Sequence, residues 1–152
     1  MRLNFECVRD ILLCVEENTD VQRVCVFVDV SEDADSIRAA LGYPRSNYEV
    51  QPYHAELLSR YNNDILIYHI RYCIEAGLIK ESPLFTPPSY GVSDLTVDGH
   101  ELIGKVRDPK HWEQTQRGMS KIGMYSLSVL RTIAEGLASG AASAFCQKLF
   151  SD

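Results

Sequence analysis

Four side chains of one short segment have the chemistry that DNA recognition requires. They are an amide, a phenol, a guanidinium and an ammonium group, on Asn63, Tyr68, Arg71 and Lys80. Amide and guanidinium groups hydrogen-bond to base edges in the major groove, and a lysine reaches a phosphate. The pattern predicts a DNA-binding transcriptional regulator with double-stranded DNA as its partner. The first three residues would bind from a helix and Lys80 from the strand that follows.

Three neighbouring residues favour a different partner. Asp64 would repel phosphates at the start of the helix, and Ile65 and Ile67 offer only apolar contact, which reads bases poorly. One isoleucine can pack on the protein itself; otherwise the two form a protein-binding patch. The second hypothesis is therefore a protein-binding module that inhibits another protein without binding DNA. The acidic segment 29–35, which resembles nucleic acid in charge, agrees with it.

No pattern of catalytic or metal-binding residues is found. A glycine-rich phosphate loop, a nucleophile elbow and a zinc-protease signature are all missing, and the four histidines are isolated in sequence. The five cysteines form no Cys-x-x-Cys pair, and with no export signal they are expected to be reduced. We expect no enzyme activity, no cofactor and no metal site. His69 is expected to be a hydrogen-bonded structural residue.

The helix that carries the candidate residues is predicted over 64–76. Its core face would consist of Leu66, Ile70, Cys73 and Ile74, and Gly77 would supply the left-handed exit. Strands at 79–82 and 92–95 then form a hairpin around a proline-rich tip, and Thr96 caps a following helix. Earlier and later patterns predict helices at 3–17, 37–41, 54–60, from 109 onward and at 125–149, a strand at 24–30 and a weaker strand at 48–50.

This order of elements predicts a fold that is mainly α with a small antiparallel β wing. The class is α+β, a winged helix-turn-helix with a β/α insertion and C-terminal helices. The winged-helix domain would span residues 1–124, with residues 20–52 as the insertion, and a C-terminal helix would occupy 125–152. Small residues recur every four positions on that helix, at Gly136, Gly140 and Ala144. They would permit close approach of a second copy, giving a homodimer, or packing on the protein's own first helix.

Three motifs together resemble a known family. They are the start Leu3 to Leu13, the core Tyr68 to Ile79 and the later Leu95 to Leu102, and their order and spacing are similar to those of domain of unknown function 2513. The segment His69 to Ile79 also resembles the recognition helix and first wing strand of arsenic-sensor-type winged-helix repressors. The resemblance implies a winged-helix fold and a phage or mobile-element origin. With that origin, the protein-binding module of the second hypothesis would be phage-encoded and would inhibit a host or defence protein. The resemblance implies no established activity.

Size and composition are those of a globular chain. With 152 residues, 45% hydrophobic and 24% charged, the chain can bury a core without disulfides. The net charge of -6 counts against nonspecific DNA binding, although a local basic face remains possible. No signal peptide and no apolar run long enough for a membrane span are present, so the expected location is the cytoplasm.

Overall fold

The computed structural model describes residues 1–31, 33, 36, 39–42 and 49–139. These residues form two compact units, Met1–Gly99 and His100–Asp152. Within the described ranges there are six helices and three strands: α1 (Phe5–Asn18), β1 (Cys25–Val28), α2 (Pro52–Arg60), α3 (Asn63–Glu75), β2 (Ile79–Glu81), β3 (Ser89–Leu95), α4 (Val97–Val106), α5 (Pro109–Ile122) and α6 (Leu127–Ala138). The expected class, mainly α with a small antiparallel sheet, is confirmed.

Helix α1 is the central helix of the first unit. The Asn4 side chain caps it by accepting hydrogen bonds from the backbone N–H groups of Glu6 and Cys7, at 3.0 and 3.2 Å. Its buried positions recur at helical spacing, and α1 packs against α2, α3 and β3. Four of its aliphatic side chains are at most 1% exposed, Val8, Ile11, Leu12 and Val15, so α1 contributes strongly to the core of this unit.

The sheet has the order β1-β3-β2, with both pairings antiparallel. β1 lies inside the segment expected to be an insertion, yet it pairs with β3 over its full length and buries Cys25 and Phe27. β3 begins at Ser89, six residues after Pro83, where the hairpin tip starts. It is longer than the predicted strand because its first half pairs with β1 rather than with β2. Glu49 and Val50, expected in a weak strand, lie in no regular element.

The end of α3 is fixed by two glycines. Gly77 adopts φ of 71°, the left-handed exit predicted from the sequence. At Gly99 a side chain is excluded because a Cβ atom would lie 2.0 Å from the backbone oxygen of Leu78. Thr96 accepts a hydrogen bond from the Gly99 N–H at 3.0 Å, which confirms its predicted capping role. The start of α4 is thereby held against the end of α3.

The second unit is built around α5 and α6. Asp108 caps α5 by accepting from the N–H groups of Lys110 and His111, and Pro109 takes the first helical position. α5 ends at Gly123 with φ of 73°, and Ser126 caps α6, which packs against α5. None of the helices in the described part of the chain combines the length and apolar character needed to cross a bilayer. The expected domain limit after residue 124 stays a prediction.

Candidate functional site

The exposed face of α3 is a narrow stripe. Four residues spaced four, three and four apart are exposed along it, namely Asp64, Tyr68, Arg71 and Glu75. Two carboxylates therefore flank one guanidinium and one phenol. A helix that reads DNA normally presents donors and cations at these positions, and this stripe has a net charge of one negative unit.

Asn63, one of the four residues expected to bind DNA, is engaged within the protein. Its amide nitrogen donates to the Asp29 carboxylate at 2.8 Å, and its amide oxygen accepts from the Val30 N–H at 3.0 Å. Burial would raise the pKa of Asp29, but the hydrogen bonds from Ser31 and Asn63 outweigh it and lower that pKa. Asn63 therefore ties the start of α3 to the chain that leaves β1.

Of the two isoleucines, Ile67 is the one that packs on the protein itself, which was one of the two alternatives predicted from the sequence. Its side chain is 7% exposed, while Ile65 and Ile74 are half-buried, although Ile74 was expected in the core. The reason is that α3 packs against α1, α2 and β2. The buried side of the helix is therefore wider than the core face predicted from periodicity, and it is rotated about the helix axis relative to that face. Of the protein-binding residues expected here, only Asp64 is fully exposed.

His69 is the structural histidine predicted from the sequence. It is completely buried, its Nε2 accepts a hydrogen bond from the Asn4 N–H at 2.8 Å, and its Nδ1 lies 2.7 Å from the Ile65 carbonyl oxygen. Because Nε2 accepts, the proton belongs on Nδ1, which donates to Ile65. The ring joins α3 to the start of α1 and is not available to a ligand.

Lys80 is exposed on β2, but its charge is faced by an acidic neighbour. In the sheet register Lys80 lies directly opposite Asp94, and Glu81 follows it in sequence. Opposite charges in such a cross-strand pair attract each other. The hairpin therefore presents little net positive charge to a phosphate backbone.

A cleft lies between α3 and the hairpin. It encloses about 450 Å³, within the roughly 300–1,000 Å³ range of ligand pockets. Its lining combines an apolar part and a charged part, formed by Ile74, Pro87 and Tyr90 and by Arg71, Glu75 and Glu81. Arg71 is the only predicted site residue among them. Sequence analysis missed the other charged residues because nothing local places β2 and the hairpin tip beside the last turn of α3.

The charge of the whole first unit is strongly negative. Residues 1–99 contain eight Lys and Arg residues against sixteen Asp and Glu residues, a net charge of -8. The overall value of -6 therefore conceals an acidic first unit and a slightly basic remainder. Such a unit attracts basic partners and repels polyanions at long range.

A second polar cluster joins α1 to α2. The nearly buried Asp10 carboxylate accepts hydrogen bonds from Arg60 Nη1 at 2.9 Å and from the Tyr61 hydroxyl at 2.6 Å. Burial, together with donation to Asp10, raises the pKa of Tyr61. The three side chains satisfy one another, which assigns them to the stability of the fold rather than to a ligand.

The described thiols are buried, but their pKa values shift in different directions, since a hydrogen bond with Cys14 lowers the pKa of Cys25. Cys7, Cys14, Cys25 and Cys73 are all free, and burial raises the pKa of Cys7 to about 12. No group of three or more metal-ligating side chains converges in the described residues. Of the predicted dimerisation residues, Gly136 lies on α6, whereas Gly140 and Ala144 fall outside the described residues, as does Cys146.

Comparison with known proteins gives one family. A family model described as "Hypothetical protein (DUF2513)" matches residues 2–125, which is most of the chain, and the chain belongs to this family. No curated protein and no solved structure matches the chain. The match covers all of the elements from α1 to α5 that are described above.

Proposed function

We propose that this member of the DUF2513 family is a non-catalytic protein-binding module built on a winged helix-turn-helix. In this proposal α2 and α3 are the helix-turn-helix, α3 is its second helix, and the β2–β3 hairpin is the wing. The support is the element order α1-β1-α2-α3-β2-β3 with β1 beside β3. The partner would be a host or defence protein met in the cytoplasm, where free thiols persist.

The observation that carries the proposal is the charge of the surface that would otherwise read DNA. α3 presents Asp64 and Glu75 on either side of Arg71, within a unit of net charge -8. Nonspecific affinity for DNA comes almost entirely from cations that neutralise phosphates, and this surface opposes that contribution. Tyr and Arg, in contrast, are the residues that most often dominate protein interfaces. Tyr68 and Arg71 would be the central contacts.

The direct experiment is photocrosslinking from the exposed face of α3. Tyr68 is replaced by p-benzoylphenylalanine in the full chain, which is expressed in the organism that encodes it and irradiated. The matched control carries the same group at Gln116, which is exposed on α5. The proposal expects an adduct with one protein from position 68 and not from position 116. That protein, once purified, should bind the chain more weakly after Arg71→Ala.

Regulation of transcription through DNA binding is the second candidate, supported by the same element order and by the exposure of Tyr68, Arg71 and Lys80. Fluorescence anisotropy with random and own-promoter duplexes at low and at near-physiological salt tests it. Micromolar binding that weakens on Arg71→Ala and on Lys80→Ala would replace the first proposal with this one. Absence of binding at low salt, where electrostatic attraction is strongest, would remove the second candidate.

A further inference from the structure

We propose that the cleft between α3 and the hairpin receives a basic side chain, arginine or lysine, of the partner protein. This inference rests on the proposed function, because it names the chemistry of the group that the α3 surface binds. The cleft would supply the specific pocket, and the stripe of α3 beside it would supply the surrounding contact area.

Within the part of the chain that the structure describes, the charged groups of the cleft are not paired with other charged groups. Among the described residues, Arg71, Glu75 and Glu81 form no ion pair with one another or with any other group. Two carboxylates and one guanidinium leave a net negative charge at the cleft. In an acidic unit this favours a cationic guest over an anionic one.

The apolar groups of the cleft suit the rest of a long basic side chain. Ile74 and Tyr90 are half-buried and Pro87 is exposed beside them. Arginine and lysine bury their methylene stems along such surfaces while the charged head reaches polar groups. The Tyr90 ring also attracts a cation at its face. A stem between Ile74 and Tyr90 would allow the head to reach Glu75 and Glu81.

The hairpin side of the cleft is held in place by its own bonds. The Ser82 N–H donates to the Gly91 carbonyl at 2.8 Å, and the Asp29 N–H donates to the Pro88 carbonyl at 2.9 Å. The Phe85 ring lies against Gly91, in the space that a side chain there would need. Because these bonds already order this side of the cleft, binding of a partner does not carry the entropic cost of ordering it, which favours affinity.

The test uses the full chain and small probes. Backbone amide NMR spectra are recorded with N-acetyl-arginine methylamide, and in parallel with the norleucine and glutamate counterparts. We expect millimolar binding of the arginine probe, with shifts concentrated at residues 71–75, 81, 89 and 90. The double variant Glu75→Gln/Glu81→Gln should weaken it about tenfold or more. The variant Glu6→Gln/Glu17→Gln removes the same charge from exposed α1 positions and should bind as the native chain does.

Three results would overturn the inference. They are no shifts at the cleft, equal binding by both double variants, and preference for the glutamate probe, which would mean that Arg71 selects an anion. Failure of the proposed function is separable. A crosslinked partner that still binds Glu75→Gln/Glu81→Gln but not Arg71→Ala would leave the protein-binding proposal standing and exclude the basic side chain.

Discussion

The imidazole of His69 fixes the position of α3 through the backbone of Asn4, whose N–H donates to Nε2 at 2.8 Å. The same Asn4 caps α1 with its side chain, so one residue connects the start of α1 to the middle of α3. The first prediction follows from the loss of this connection. His69→Ala should lower the free energy of unfolding by about 2–3 kcal/mol, because it removes the acceptor of the Asn4 N–H and leaves a cavity where the buried ring was.

Urea denaturation followed by circular dichroism measures this change. Gln116→Ala, at an exposed position of α5, is the control and should change stability by less than about 0.5 kcal/mol. Equal effects of the two substitutions would mean that the His69–Asn4 bond adds nothing to stability.

The second prediction concerns the pH dependence given by His54. This side chain is 0% exposed, its ring lies edge-on to Phe27 at 5.5 Å, and both ring nitrogens lack a hydrogen-bond partner among the described residues. Burial lowers the pKa of His54, so the unfolded chain takes up a proton at a higher pH than the folded one. The contribution of neutral His54 to the free energy of unfolding is therefore fully present above the pKa of histidine in the unfolded chain, about 6.5. It decreases at lower pH, by up to about 1.4 kcal/mol per pH unit.

His54→Phe keeps an aromatic ring against Phe27 and removes the titration. The native chain should lose stability relative to this variant between pH 7 and pH 5, as measured by urea midpoints at each pH. A difference between the two proteins that stays constant over this range would contradict the prediction.

The third prediction tests the burial of Ile67. Ile67→Ala should cost about 2–4 kcal/mol, as expected for a buried isoleucine, whereas the half-buried Ile65→Ala should cost clearly less. Thermal and urea unfolding of both variants give the comparison. A larger loss of stability with Ile65→Ala than with Ile67→Ala would contradict the burial of Ile67.

The fourth prediction concerns Asp29 and Asn63. The pKa of Asp29 is lowered in the folded chain, so its contribution is present above the unfolded pKa of about 3.9 and disappears as pH falls through the folded value. Asp29→Asn should cost about 1 kcal/mol at pH 7, and this cost should shrink as the pH falls through the lowered pKa of Asp29. Asn63→Ala should cost a similar amount without changing binding of the crosslinked partner. Loss of partner binding with unchanged stability would instead mean that Asn63 contacts the partner.

Local signals predicted the elements well. The start of α3, its glycine exit, the Thr96 cap and the Asp108-Pro109 helix start depend on residues within four positions of each other, and all four are observed. The family was also recognised from three short motifs, and the match over residues 2–125 agrees. These features are accessible because capping and periodicity act along the chain.

What the sequence did not predict depends on contacts between distant segments. Asn63 has the right chemistry for DNA, but its amide is used by Asp29 and Val30, more than thirty residues earlier. Ile67 is buried because three elements surround α3, and the cleft forms because β2 and the hairpin tip meet its last turn. Periodicity identifies a buried side of a helix but not how many neighbours cover it.

The Tyr53 hydroxyl has a consequence for how copies of this chain can associate. It accepts the Val26 N–H at 2.7 Å and donates to the Val26 carbonyl at 3.3 Å, on the side of β1 that faces away from β3. Both groups are ones that an added strand would need. The Tyr53 hydroxyl thus makes the two hydrogen bonds that the backbone of an added strand would make, so another chain cannot pair with β1 at Val26 while both bonds are intact. Any self-association through this strand edge at Val26 would first have to break both hydrogen bonds of the Tyr53 hydroxyl.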